Sequence, residues 1–280
     1  MNSKRKPNQA DPPSKSDMMV ALQRSGYLLE SVIVRHLNEA GFFVEPNQSL
    51  LNERTGLSQE IDILAEFYNY NPEHEHVCVK TNFVIEVINN LYPFVLTTPR
   101  TWSPNSPTED YLRYWTTPGE NHENHFLGKL DIFDIKGVDK RRLFSQYCAF
   151  TRKKSNDDLM ACHPEDVHSS LQKMVEYSLD SIERWFDYAS DEYWRLFFWQ
   201  PVLVLRNDLF AVSETQDKEP ELVSIESAQL EHNFHYRSKP ETMIVDVVTE
   251  PHLLKLLQTH VREDEICEKR IFAMKTGSSD

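Results

Sequence analysis

Apolar and polar residues alternate along this chain with two periods, and each change of period marks a new element. From Ser16 to about Ala40, the residues Leu22, Leu29, Ile33 and Leu37 recur at helical spacing, with Val32 and Ala40 alongside. Ser16–Asp17 suits a helix start and Gly41 a helix stop. The pattern predicts one long helix, with Glu30 beside its apolar stripe. A short strand over Phe42–Val44 follows, then a turn-rich connection from Pro46 to Leu57. Glu60–Phe67 and Val77–Val87 are apolar and β-branched, as strands are. Between them Tyr68–His76 is a polar loop, whose His74 and His76 read as solvated side chains or as metal ligands. Asn89–Asn90 and Pro93 close the second strand.

The second half is less regular. Thr97–Lys129 carries Pro99, Pro104, Pro107 and Pro118 and is too long for an ordinary connection. It predicts an insertion over about 97–135, with a short helix around Glu109–Trp115. Pro164–Ala189 is amphipathic, with Val167, Leu171, Met174, Val175, Leu179, Ile182 and Phe186 as its stripe. Pro164, Glu165 and Asp166 fit its first turn, and His163 and His168 flank it as capping or core contacts. Pro201–Leu205 and Leu209–Val212 predict a hairpin across Asn207–Asp208. Leu222–Ile225 and Met243–Val248 predict further strands, and Pro251–Arg262 a C-terminal helix. The expectation is a disordered tail over residues 1–15, then a single α/β domain over 16–275. That domain has a mixed central sheet flanked by helices, a long irregular insertion and extra C-terminal strands.

Composition narrows the classes. Cys78, Cys148, Cys162 and Cys267 form no CxxC pair, which argues against a zinc knuckle. No run approaches the roughly 18 apolar residues of a membrane helix. The polar start lacks the apolar core of a signal peptide, so a soluble, cytoplasmic protein without membrane contact is expected. No Gly-rich phosphate loop, GxSxG or HExxH is present. The net charge of −14 excludes a general nucleic-acid coat unless positive charge is concentrated somewhere. It is concentrated between Lys136 and Lys154, where seven cations face the single acid Asp139. Lys140, Arg141, Arg142, Arg152, Lys153 and Lys154 read either as a nucleic-acid-binding patch or as a solvated basic surface.

The chemistry lies in the two acids placed within apolar strands, Asp62 and Glu86. An unpaired carboxylate is costly to bury, so such acids need a partner. On neighbouring strands they can share one divalent cation, Mg²⁺ or Mn²⁺, with the backbone carbonyl of Val87 beside Glu86 as a further ligand. Such a cation activates water and stabilises charge on a scissile phosphate. Glu60 shares the strand parity of Asp62 and is a candidate extra ligand or outer group.

The segments GYLLESVIVRHLNEAGFFVE, QEIDILAE and NFVIEVINNLYPF, taken in order, resemble the restriction endonuclease-like superfamily, the PD-(D/E)xK nucleases. The resemblance covers about Gly26–Phe94. It implies a core of helix, three strands, helix and strand, and metal-dependent cleavage of nucleic acid, DNA by preference. By position it assigns Glu30 as the helix acid, Asp62 as the central metal ligand and Glu86 as the second. The chain departs from the motif at Ile88, where the superfamily's third strand carries a catalytic lysine. Lys80, Lys153 and Lys173 are the candidates to replace it. Three readings stay open: a nuclease with a displaced basic group, a degenerate nuclease-fold protein that binds nucleic acid or a protein without cutting, and structural acids paired with arginines such as Arg35 or Arg54.

Overall fold

Ser14 opens the first helix: its hydroxyl accepts the Asp17 N–H while the Asp17 carboxylate reaches back to the Ser14 N–H, a reciprocal cap. A computed structural model describes residues 12–52, 56–68, 72–74, 76–101, 112–117, 130–153, 155–185, 193–213 and 219–277. The tail expected over residues 1–15 falls outside these up to residue 11. The single helix expected from Ser16 is two helices, α1 (Lys15–Ser25) and α2 (Tyr27–Glu39). Gly26 separates them at φ +91°, a left-handed conformation that a Cβ would penalise. α1 buries none of its residues, whereas α2 buries Ile33 and Leu37.

Three antiparallel strands follow: β1 (Phe43–Asn52), β2 (Leu57–Glu66) and β3 (Val77–Ile88). The supposed connection from Pro46 is thus mostly strand, because β1 runs the full length of β2 despite its proline. A proline is tolerated there because β1 lies at the sheet edge. β4 (Phe94–Arg100) and β5 (Tyr114–Thr117) come next. Tyr114 and Trp115 are therefore extended rather than helical, and residues 109–111 of the expected helix lie outside the described residues. A single helical turn, α3 (Ile132–Ile135), precedes β6 (Leu143–Arg152) and β7 (Leu159–Cys162). The amphipathic segment forms α4 (Glu165–Trp185); its expected end at 186–189 lies outside the described residues.

α4 leads to β8 (Trp194–Leu205), which runs parallel to β3 in unbroken register from Val77↔Trp194 to Ile88↔Leu205. Such a strand is covered on both faces, which explains its nearly continuous apolar sequence. β9 (Leu209–Ser213) does not fold back on β8 as the expected hairpin does. It crosses to pair in parallel with β4 and antiparallel with β10 (Glu221–Ile225). β11 (Ser227–Tyr236) and β12 (Lys239–Thr249) form the long hairpin of this half, and α5 (Leu253–Thr276) closes the fold, twice the length expected. β11 escapes a reading by pattern because SAQLEHNFHY is interrupted by Gln229, Glu231 and His232.

The described strands form one mixed sheet in the order β1-β2-β3-β8-β12-β11-β6-β4-β9-β10, with β5 added to β8 and β7 to β6. Helices cover both faces. α4 lays Val167, Leu171, Met174, Val175 and Leu179 on Val84, Leu203, Val245 and Val247. α2 and α5 cover the other face, where Ile33, Leu37, Leu253 and Leu257 meet Phe83, Ile85, Val202 and Val204. No helix among the described residues is long and apolar enough to cross a membrane.

Candidate active site

Glu86 is placed by alternation in β3. Phe83, Ile85 and Val87 point to α2 and α5, so Val84, Glu86 and Ile88 point to α4. Glu86 is only 2% exposed. Its partner comes from α4: the Lys173 ammonium lies 2.7 Å from Glu86 Oε2 and donates to the Glu60 carbonyl at 2.9 Å. Ser170, one turn earlier on α4, also hydrogen-bonds the Glu86 carboxylate. Ile88, where the motif's lysine would stand, packs against the apolar cluster under α4. Of the three candidate lysines, only Lys173 reaches the acids. Lys80 pairs with Glu66 and lies over the Phe197 ring, and Lys153 is exposed.

The sheet opens around Asp62. β2 and β3 stay paired as far as Ile63↔Ile85, and the next pair, Asp62 with Glu86, no longer bonds as strand. On the other side the β1–β2 register passes from Pro46↔Ile63 to Gln48↔Ile61 and skips Asn47 with Asp62. Asn47 sits at φ +55°, a region that asparagine enters more readily than most residues. In the gap, Asp62 Oδ2 accepts the Val87 N–H at 2.8 Å, and Glu86 Oε1 accepts the Asp62 N–H at 3.3 Å. The side chains thus replace the lost backbone pairing and hold the two carboxylates together. Val87, expected to offer its carbonyl, contributes its N–H to this arrangement.

Electrostatics tie Glu30 to the same place. Burial pushes its carboxyl above the usual range, as does the charge of Asp62, while Lys173 pulls it down. Burial likewise raises Asp62, opposed by the Val87 N–H and Lys173. Glu86 is pushed up to about 7, first by burial and then by Asp62, with Lys173 and Ser170 opposing. Three acids therefore share one ammonium, an imbalance that a divalent cation would correct. Among the described residues no three His, Cys, Asp or Glu side chains converge as a metal cage. The residues present fit a Mg²⁺-type ion, which takes one or two carboxylates and leaves its other positions to water and phosphate oxygens. They do not fit a zinc site. His74, a loop candidate, is occupied by Glu268 at 2.8 Å and stacks on Phe272.

The basic run is dispersed. Arg141 turns inward, 2.7 Å from Glu263 and 3.0 Å from His260 Nε2 on α5, across the sheet from Glu86. His260 in turn meets Asp246 at 2.8 Å, and Lys136 is buried against Asp264 and Thr81. Lys140 pairs with Asp134 and Arg152 with Asp157; Arg142 and Lys153 are exposed, and Lys154 lies outside the described residues. These cations do not line the carboxylates. Lys173 and Ser170 carried a sequence signal of their own: both interrupt the apolar arc of α4, between Val167, Leu171 and Met174. Arg35 lies near Glu39, not Asp62 or Glu86, and Arg54 is outside the described residues. In comparisons with known proteins, no family model, no curated protein and no solved structure matches this chain.

Proposed function

We propose that the protein is a divalent-cation-dependent phosphodiesterase of nucleic acid, a PD-(D/E)xK-type nuclease whose lysine has moved from β3 to α4. The observation that carries this reading is the Lys173 ammonium 2.7 Å from Glu86 on the face where Ile88 stands in place of lysine. The order α2, β1, β2, β3, α4, β8, with β3 and β8 parallel, supports it, as does the opening of the sheet at Asp62.

Asp62 and Glu86 would hold the cation, Mg²⁺ or Mn²⁺, with Glu30 adding negative potential behind them. When bound, the cation activates water and neutralises charge on the phosphate. Lys173 orients the attacking water and stabilises the charge that develops on the phosphoryl oxygens. The water oxygen forms the new P–O bond as one of its protons passes to solvent, the bridging P–O bond breaks, and the leaving alkoxide takes up a proton from solvent.

A second reading, binding without cleavage, is favoured by one observation: both carboxylates are already satisfied, Asp62 by Val87 and Glu86 by Lys173. Cleavage of labelled DNA and RNA in Mn²⁺ separates the two. The nuclease reading expects cleavage that is lost in Asp62→Asn and Lys173→Met; a silent wild type that still binds nucleic acid supports the other.

A further inference from the structure

Lys173 does not end at Glu86's pocket. It also lines a groove of about 1270 Å³ that runs beside α4 from Glu165 to Asp180, with Gln59 of β2 at its floor and the β11–β12 turn as its far wall. At 1.5 Å per residue those fifteen helical steps span about 22 Å. The volume exceeds that of a usual small-ligand pocket.

Its chemistry does not suit a duplex. The lining offers three carboxylates, Glu165, Glu176 and Asp180, against two cations, Lys173 and Arg237. Both cations are engaged, Lys173 with Glu86 and Arg237 with Glu183 at 2.6 Å. Duplex binding draws mainly on many phosphate contacts with cations. The groove offers rings instead. His163, His168 and His235 are exposed along it, and Tyr236 lies among them. Two of these imidazoles are held from behind: His163 edge-on to Tyr147 at 5.1 Å, and His168 edge-on to His232 at 5.8 Å. His232 is in turn stacked on Phe234 at 5.7 Å and 6°. Gln59 Oε1 is buried on the floor with no hydrogen-bond partner, an acceptor that suits a base N–H.

We infer that this groove binds a single-stranded nucleic acid through its bases, stacked on the exposed imidazoles, and delivers one phosphate to Lys173 and the carboxylate pair. The delivery step rests on the proposed nuclease activity; the binding does not. Unpaired bases expose the faces that rings recognise, and such stacking tolerates any sequence.

The test is fluorescence anisotropy of the full chain in EDTA, where no cleavage occurs, with a labelled 12-nucleotide DNA strand and its duplex. The strand is expected to bind at least ~10-fold tighter than the duplex, with log K falling against log salt with a slope of about −1, as for one or two phosphate contacts. His168→Ala and His235→Ala each lower affinity ~5–100-fold, while His168→Phe, which keeps a stacking face, retains it. Duplex binding equal to or tighter than the strand, a slope of about −4 or steeper, or no strand binding overturns the inference. Duplex cleavage in Mn²⁺ without strand binding leaves the nuclease reading standing and removes this one. Strand binding without any cleavage does the reverse.

Discussion

Replacing Glu86 with glutamine keeps the side chain's shape and its acceptor for Lys173, and removes only the charge. In the folded protein burial and Asp62 raise the Glu86 carboxyl from 4.5 to about 7. Between those values the native state holds a proton that the unfolded chain has released. Stability therefore falls as pH rises from about 4.5 and levels off above about 7. The interval corresponds to a loss on the order of 3 kcal/mol. Glu86→Gln should thus match the wild type at about pH 5 and exceed it by up to ~3 kcal/mol at about pH 8, measured by urea unfolding in EDTA. A saturating divalent cation should close the gap by stabilising the wild type alone, by about 2.7 kcal/mol at a hundred times its Kd. If Glu86→Gln is instead less stable than the wild type at pH 8, the Lys173–Glu86 pair outweighs its desolvation, and the acid is structural.

Lys173→Met should lower cleavage by about 10²–10³-fold in single-turnover assays, as loss of one oriented charge does. Ile88→Lys in that background should recover part of the rate, since position 88 shares the face of Glu86. Arg141→Ala should cost about 1.5–3 kcal/mol by denaturant unfolding, because it takes the guanidinium from the buried Glu263 and Asp246 and leaves them to His260 and, for Asp246, Gln229, whereas Arg142→Ala at an exposed position should cost under ~0.5 kcal/mol. Gly26→Ala should cost about 1–2 kcal/mol in a thermal melt, since φ is +91° and the new Cβ would lie 3.4 Å from that of Asn89.

The strand pattern, the two acids and the amphipathic helix were legible because each is local. Alternation alone puts Glu86 and Ile88 on one face, and the stripe of α4 names the side that meets it. The source of the ammonium is legible only as a choice among Lys80, Lys153 and Lys173: Lys173 and Glu86 are far apart in sequence, and only the crossover from β3 through α4 to β8 joins them. The basic run misleads for a related reason. Its density suggests a surface, but Arg141 and Lys136 meet Glu263 and Asp264 of α5, a helix that the periodicity ends at Arg262. The groove stays hidden in sequence because its walls, α4 and the β11–β12 turn, come from separate segments, and the polar interruptions of β11 mask its strand pattern.

The most direct test is cleavage of end-labelled single-stranded and duplex DNA and RNA in Mn²⁺, with Lys173→Met and Asp62→Asn beside the wild type. The account predicts cleavage by the wild type that EDTA abolishes, Asp62→Asn removes and Lys173→Met reduces about 10²–10³-fold. A wild type that cleaves none of these substrates, or cleavage that persists unchanged in Lys173→Met, would contradict it.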